Sequence, residues 1–548
     1  MRRRASDLLV EGLEVEGVRW VFGIPGEETL DLSESLDRSS VEFVPVRHEQ
    51  GGAYIADVIG RLTGRAGVAL GTLGPGATNL VTGVADAYLD RAPLVVLTGQ
   101  GDLERMHKES HQYIDVVSLM RPITKWNARV SDPVIVPETV RKAFAVAETE
   151  KPGATHLELP EDVLAAPVSD DARPLPRHEP VLSEPSEREL SRAAAVIRAG
   201  RRVVALGGNG AVRRHAGPAL REFSRVTGIP VAETFMGKGL LPADDPHALG
   251  ATGLQAGDYQ MAGFADADVV ITIGYDLVEQ APRQWNPGRD KQIICIDTLP
   301  AEVDAYYMPA VELIGDIDHV LTRLARECRE PVRAGGSPRL RDATLGLLEA
   351  ARTDDRFPVC PPRLLADIRA ALGRDDVLVS DVGLHKLWIG RVFPAYEPGT
   401  VLIANGLAGM GFAVPAAIAA KLVRPDAKVV AVSGDGGFLM NVQELETATR
   451  LRTAFVNVIW ENHQFGSIVW KQDRKFGRHF GVDFTNPDFV GLAESFGLPA
   501  WRITRAEDFA PRLRHALTLD VPSLIVVPVD YSLDVAISAD LGHPTTAT

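Results

Sequence analysis

Short runs of β-branched and aliphatic residues recur along the whole chain, and each is followed by a longer stretch with helical spacing. The runs read VEFVPV, GVALGTLG and APLVVLTG, then RRVVALGG, DVVITIG and QIICID, and finally DVLVSDVG, KVVAVSG, FVNVIW and SLIVVPVD. Consecutive apolar positions suit a strand covered on both faces, and alternation of such strands with helices suits parallel sheets wrapped by helices. Two stretches rich in Pro, Ser and charge break the alternation, APVSDDARPLPRHEPVLSEPSERE at 166–189 and REPVRAGGSPRLRD at 329–342. Their composition is that of linkers. A chain of 548 residues is too long for one hydrophobic core. The expected organisation is therefore α/β, with three doubly wound parallel-sheet domains at 1–170, 190–330 and 355–548.

Apolar residues make up 45% of the chain and charged residues 24%, which is ordinary for a globular protein. The formal charge of −15 argues against nucleic-acid binding, which needs clustered Lys and Arg. Cys295, Cys328 and Cys360 match neither a zinc site nor a disulfide framework, so a reducing, cytoplasmic setting is expected. The start, MRRRASDLLVEGLEVEGV, lacks the continuous apolar core of a signal peptide. Residues 401–420, VLIANGLAGMGFAVPAAIAA, carry no charge, but glycines, a proline and Asn405 interrupt them, so a buried loop and helix is favoured over a membrane span.

In AKVVAVSGDGGF a buried strand runs into glycines, and NVQELETATRL after it has helical spacing, so Gly434 to Gly437 are expected in a strand-to-helix turn. In a parallel sheet such a turn lies in the crevice beyond the strand ends, where free backbone N–H groups favour a diphosphate. The next strand, AFVNVIW, should bring Asn462 level with Asp435. One carboxylate, one amide oxygen and a backbone carbonyl complete a magnesium octahedron only when a diphosphate supplies further oxygens. Taken alone a Gly-Asp-Gly turn is equally a tight backbone turn. In the first unit, FVPVRHEQGGAYIADVIGRLTG places Glu49 between an apolar strand and a helix. There it reads equally as a charge at a helix N-terminus.

Together these segments resemble the thiamine diphosphate motif, a Gly-Asp-Gly followed one helix and one strand later by Asn. The usual Asn-Asn ending is Glu461-Asn462 here, with the ligand-bearing second Asn kept and Glu461 expected on the surface or behind the ligands. FGIPGEETLDL, RHEQGGAYIADVIGRLTG, GTLGPGATNLVTGVADAYLDRAPLVVLTGQ, KESHQYIDVVSLMRPITKW and SGDGGFLMNVQELETA extend the resemblance over nearly the whole chain, to the pyruvate oxidase and acetolactate synthase type. The resemblance implies thiamine diphosphate and Mg2+ as cofactors. It implies that Glu49 hydrogen-bonds the pyrimidine ring nitrogen and so acts as proton switch, that Gln112 approaches the reacting carbon, and that Met410 holds the coenzyme bent. Pro25, Gly74, Gly76, Asn79, Gly434, Asp435, Gly436, Gly437, Asn462 and Gly466 would line the cofactor, with Asp435, Asn462 and Gln464 on the metal. Gln112 reads otherwise as part of a solvated helix, and Met410 as ordinary core.

In the middle unit ITIGYDLVEQAPRQWNP resembles the catabolic branch, so FAD is not expected; VVALGGNGAV lacks the third Gly of a dinucleotide fingerprint. The implied activity is decarboxylation of pyruvate and ligation of the two-carbon unit to a second 2-keto acid, giving 2-acetolactate. The family pairs subunits, so a homodimer or homotetramer with active sites between subunits is expected, with no membrane partner. Glu28 and the pair Trp470 and Lys471 depart from the pattern where an acceptor would sit, and Trp470 reads equally as an acceptor contact or as core. A 2-keto acid decarboxylase, a carboligase with another acceptor, and a non-catalytic cofactor-binding subunit are the alternatives.

Overall fold

The computed structural model describes residues 3–178, 181–253 and 256–533. It contains three six-stranded sheets in which neighbouring strands pair in parallel throughout the described residues. The first has the order β2-β1-β3-β4-β6-β5, from β1 (Trp20–Gly23), β2 (Glu42–Pro45), β3 (Gly67–Gly71), β4 (Leu94–Gln100), β5 (Trp126–Arg129) and β6 (Ala154–Pro160). The second, β12-β11-β10-β7-β8-β9, uses β7 (Val203–Gly207), β8 (Val231–Glu233), β9 (Ala248–Ala251), β10 (Val269–Ile273), β11 (Gln292–Asp297) and β12 (Val311–Ile314). The third, β14-β13-β15-β16-β18-β17, uses β13 (Val377–Ser380), β14 (Val401–Ile403), β15 (Val429–Gly434), β16 (Val456–Glu461), β17 (Ala500–Arg502) and β18 (Ser523–Pro528). The first and third sheets share one winding, and the second follows the dinucleotide-fold order.

Two compact units result. One comprises Met1–Val181, Gly406–Pro425 and Asn441–Thr453, and contains the first sheet; the other comprises Leu182–Asn405, Asp426–Met440 and Ala454–Thr548, and contains the other two. The central strands are apolar on both faces. All of β3, β4, β7 and β10 is buried, as expected where helices cover a parallel sheet on both sides. In the second unit the Arg391 guanidinium meets the Asp258 carboxylate at 2.5 Å with both side chains buried, and Arg221 spans to Glu397 at 2.8 Å. The three cysteines are buried and form no disulfide.

The uncharged stretch 401–420 forms β14, a loop and the helix Ala413–Val423, and no helix among the described residues is long and apolar enough to cross a membrane. The helix Arg339–Ala351 begins inside the Pro-rich stretch read as linker, because Leu340 and Leu348 have a core to enter.

The glycine turn after β7 holds a side chain of its own unit. The Glu279 carboxylate accepts the Asn209 N–H at 3.0 Å and the Thr234 hydroxyl at 2.5 Å, and a Cβ on Gly208 would lie 2.9 Å from its Oε1. Burial, reinforced by the neighbouring Asp276 charge, pushes Glu279 up to about 8. The unfolded chain releases this proton in the ordinary carboxylate range and the folded chain keeps it, so the contribution to stability is lost as pH rises toward 8. Glu279→Gln carries no such proton. Its stability relative to the parent should therefore improve by about 2–4 kcal/mol between about pH 5 and about pH 8, measured by urea unfolding at both pH values.

Candidate active site

In the first unit, β2 ends at Pro45 and the helix Glu49–Thr63 begins four residues later. His48 caps this helix with extended backbone, its Nδ1 accepting the Gln50 N–H at 3.1 Å, which sets Glu49 on the first turn. Glu49 is buried, 5% exposed. Its Oε2 accepts the Asn79 side-chain amide at 2.9 Å. Asn79 stands on the helix Pro75–Leu89, which follows β3 through Gly74 at φ +55°. A Cβ on Gly76 would lie 3.0 Å from Thr72 Cγ2 and 3.3 Å from Glu49 Oε1, so the glycine lets this helix approach the carboxyl. A Cβ on Gly74 would lie 2.7 Å from the Gln112 carbonyl oxygen, and Gln112 is an exposed turn residue at φ +59°. The solvated helix weighed for HKESHQ is thus a turn.

Two more expected residues belong to the same unit. Gly26, after Pro25, packs so closely on Thr72 that a Cβ would sit 2.2 Å from its Oγ1, and the Thr72 hydroxyl donates to Glu28 at 2.9 Å. Met410 is half-buried in the loop before the helix Ala413–Val423, and its carbonyl accepts the Gln50 side chain at 3.4 Å. That loop is pinned at both ends, by Gly406 N–H on Asp90 at 2.5 Å and by Asn441 on the Gly411 carbonyl at 2.9 Å. Asp90 is held by Arg61, which also pairs with Asp57 and Asp86. Glu49, Asn79, Gly76, Gly74, Gln112 and Met410 are therefore linked by contacts within one unit.

The second unit holds the others. Gly434 ends β15, and Asp435–Phe438 is a single helical turn, after which the chain breaks before the helix Glu444–Arg450; the continuous helix expected over NVQELETATRL is shorter because Asn441 turns away to bond Gly411. Asp435 is buried. Its Oδ2 accepts the N–H groups of Asn462 at 3.0 Å and His463 at 2.6 Å and the Asn486 amide at 2.9 Å, and Oδ1 accepts the Gly436 N–H at 2.9 Å. The sheet thus brings Asn462, beyond the end of β16, beside Asp435 at the end of β15. Gly436 lies under Phe465, a Cβ on Gly437 would sit 3.1 Å from Asp381, and a Cβ on Gly466 would sit 3.2 Å from the Asn462 amide. The Gln464 side-chain amide nitrogen donates to Asp483 at 2.7 Å.

Glu461 is neither exposed nor behind a ligand. It is buried and paired through both oxygens with Arg502, at 2.5 and 2.9 Å, tying β16 to β17 across β18. Trp470 lies on the helix Gly466–Phe476, in which no residue is buried, with Arg474 over its ring at 5.1 Å, so it fills no core.

Two residues beside Asp435 and Gly434 had no signal as single letters in the sequence. Asn486 Oδ1 is buried without a hydrogen-bond partner, next to Asp435. His385 Nε2 is likewise buried and unpaired, with its Cε1 3.2 Å from where a Cβ on Gly434 would stand. Burial holds His385 down at about 3, so its ring is neutral. Buried polar atoms without partners mark places where a bound ion, water or ligand supplies the missing contact.

Three family models match in order: the thiamine pyrophosphate enzyme N-terminal TPP binding domain over residues 3–119, the central domain over 190–324 and the C-terminal TPP binding domain over 381–527. The chain is 35% identical to an acetolactate synthase of Bacillus subtilis (strain 168), over 98% of this chain and 95% of that one. It is 36% identical to a catabolic acetolactate synthase of Raoultella terrigena, over 96% and 95%. A probable acetolactate synthase large subunit of Methanocaldococcus jannaschii is 34% identical over 96% and 92%. On these matches and on its three parallel sheets, the chain belongs to the thiamine pyrophosphate enzyme family, in its acetolactate synthase group.

Proposed function

We propose that this protein decarboxylates pyruvate and joins the two-carbon unit to a second pyruvate, giving 2-acetolactate. The observation that carries the reading is the buried Glu49 carboxyl with one oxygen pinned by Asn79 and the other turned toward Gly76. Thiamine diphosphate, when bound, supplies the electron sink that decarboxylation of a plain 2-keto acid requires and that no side chain can offer.

The chain's own residues then have distinct work. Glu49 Oε1 holds a proton and passes it to a ring nitrogen, while Asn79 keeps Oε2 from rotating into that place. Met410 and the Gly74 to Gly76 turn shape the surface beside Glu49, and Gln112 reaches toward the substrate from the turn packed on Gly74. Asp435, the Asn462 amide oxygen and the Gln464 main-chain carbonyl would hold Mg2+. Oxygen donors of this kind suit that ion, which keeps several waters and ligand oxygens in its shell. Asp435 Oδ2 takes three donors and Oδ1 only one, so Oδ1 is the oxygen with capacity for a cation. The unpaired Asn486 Oδ1 beside it suits a metal-bound water.

Glu279 supports a reading without FAD, since a carboxylate of the chain already takes the amide that a nucleotide phosphate would need. Exposed Phe465, Ile468, Phe476 and Phe480 support a homo-oligomer, and the paired subunits would complete each active site. Buried cysteines outside any disulfide support a reducing cytoplasmic setting.

Purified protein with pyruvate, Mg2+ and thiamine diphosphate, without added FAD, should release one carbon dioxide for two pyruvates consumed and accumulate acetolactate. One carbon dioxide per pyruvate with an aldehyde would instead make it a decarboxylase. Glu49→Gln should lower turnover by about 10²–10⁴-fold in a folded protein, read by the same assay. Asp435→Ala leaves the N–H groups of Asn462 and His463 and the Asn486 amide without their acceptor. It should cost about 2–4 kcal/mol of stability even in chelator, measured by denaturant unfolding, and should abolish Mg2+-dependent coenzyme binding in calorimetry.

A further inference from the structure

The turn between β2 and the helix Glu49–Thr63 is gripped from one side by the helix Glu444–Arg450, within the same unit. Glu444 Oε1 accepts the N–H groups of Arg47 and His48, both at 3.0 Å, and Oε2 accepts the Thr447 hydroxyl at 2.6 Å. Arg450, one helical turn and a half further on, donates to the Pro45 carbonyl. The helix therefore supplies an acceptor for the amides and a donor for the carbonyl of a turn that has no ladder partner there. Glu444 is fully buried, and the fit is tight: a Cβ on Gly51 would lie 2.7 Å from its Oε1. Nothing in the chemistry assigned to Glu49, Asn79 or Asp435 uses this carboxyl. It bonds the amide of His48, the residue directly before the one that must meet the coenzyme with fixed geometry.

We propose that Glu444 is a positioning residue, whose carboxylate clamps the amides of Arg47 and His48 so that Glu49 is presented to the coenzyme ring in one place. The inference rests on Glu49 being the residue that exchanges a proton with that ring. A free turn would let the first residue of the helix shift by a fraction of an ångström to an ångström, and displacement on that scale costs on the order of 10²-fold in rate. A Gln at 444 keeps an oxygen that both amides can share and a nitrogen that can donate to Thr447; an Ala keeps nothing.

The test compares Glu444→Ala, Glu444→Gln and Gly51→Ala with Glu49→Gln and the parent. Its readouts are the circular dichroism band of the bound coenzyme's imino tautomer, the exchange rate of the thiazolium C2 proton, coenzyme Kd and kcat. Glu444→Ala and Gly51→Ala should weaken the imino band and slow both C2 exchange and kcat by about 10²-fold, with KM for pyruvate within about threefold. Glu444→Gln should recover kcat to within about tenfold of the parent. If Glu444→Ala does not fold, Gly51→Ala displaces the same carboxylate from the opposite side and carries the test alone. The proposal is overturned if the Ala variants keep the band, the exchange rate and kcat, or if the Gln variant is as impaired as Ala. Should Glu49→Gln itself retain the band and the activity, the proton-switch reading fails; should only the Glu444 and Gly51 variants retain them, the clamp alone fails.

Discussion

When every strand of a sheet runs the same way, all the chain exits at one rim, and the amides that leave the last ladder position there have no strand to bond. A buried amide without an acceptor is costly, so each exit needs an oxygen from elsewhere. In this protein the acceptor is a buried carboxylate in all three sheets. Glu444 takes Arg47 and His48 after β2, Glu279 takes Asn209 after β7, and Asp435 takes Asn462 and His463 after β16. The rim is also where ligands of such folds bind. The same physical need, met by the same chemical group, therefore has three outcomes, which depend on what stands next to the carboxylate.

At Asp435 one oxygen takes three donors and the other only the Gly436 N–H, and the proposed cation site rests on that difference. At Glu279 both oxygens are committed, to the amides of Asn209 and Asp276 and to Thr234, and Gly208 closes on them, so the turn is full. At Glu444 the carboxylate faces away from any opening and its effect passes along the main chain to Glu49. Burial pushes Glu444 up to about 7 and Glu279 up to about 8. Part of their cost is thus met by keeping a proton.

The strands legible in the sequence are mostly the ones with neighbours on both sides. VVALG, VVITI, VVAVSG and the Val456–Glu461 strand are apolar at nearly every position because helices cover both faces. Of the strands outside those runs, β5, β9, β12, β14 and β17 are edges of their sheets, three or four residues long, with no residue of WNAR or AWR buried, whereas β1, β6 and β8 lie inside their sheets. Among site residues the motif positions were legible because backbone geometry fixes their type: Gly76 admits the helix to Glu49, and Gly74 needs a positive φ. Glu444, Asn486 and His385 were not, since each acts through contacts with residues far away in the chain, and a single Glu, Asn or His carries no pattern that announces such a partner.

The departure at Glu461 shows where a motif can vary and why. What Asp435 takes from the loop after β16 is the pair of backbone N–H groups of Asn462 and His463. The side chain at 461 belongs to the strand before it and points where Arg502 of β17 can meet it through both oxygens. Because side chains alternate along a strand while the amides beyond its end are supplied by any residue, position 461 answers to its neighbour across the sheet rather than to Asp435. An Asn there would leave Arg502 facing a neutral amide and would leave the grip on Asp435 unchanged.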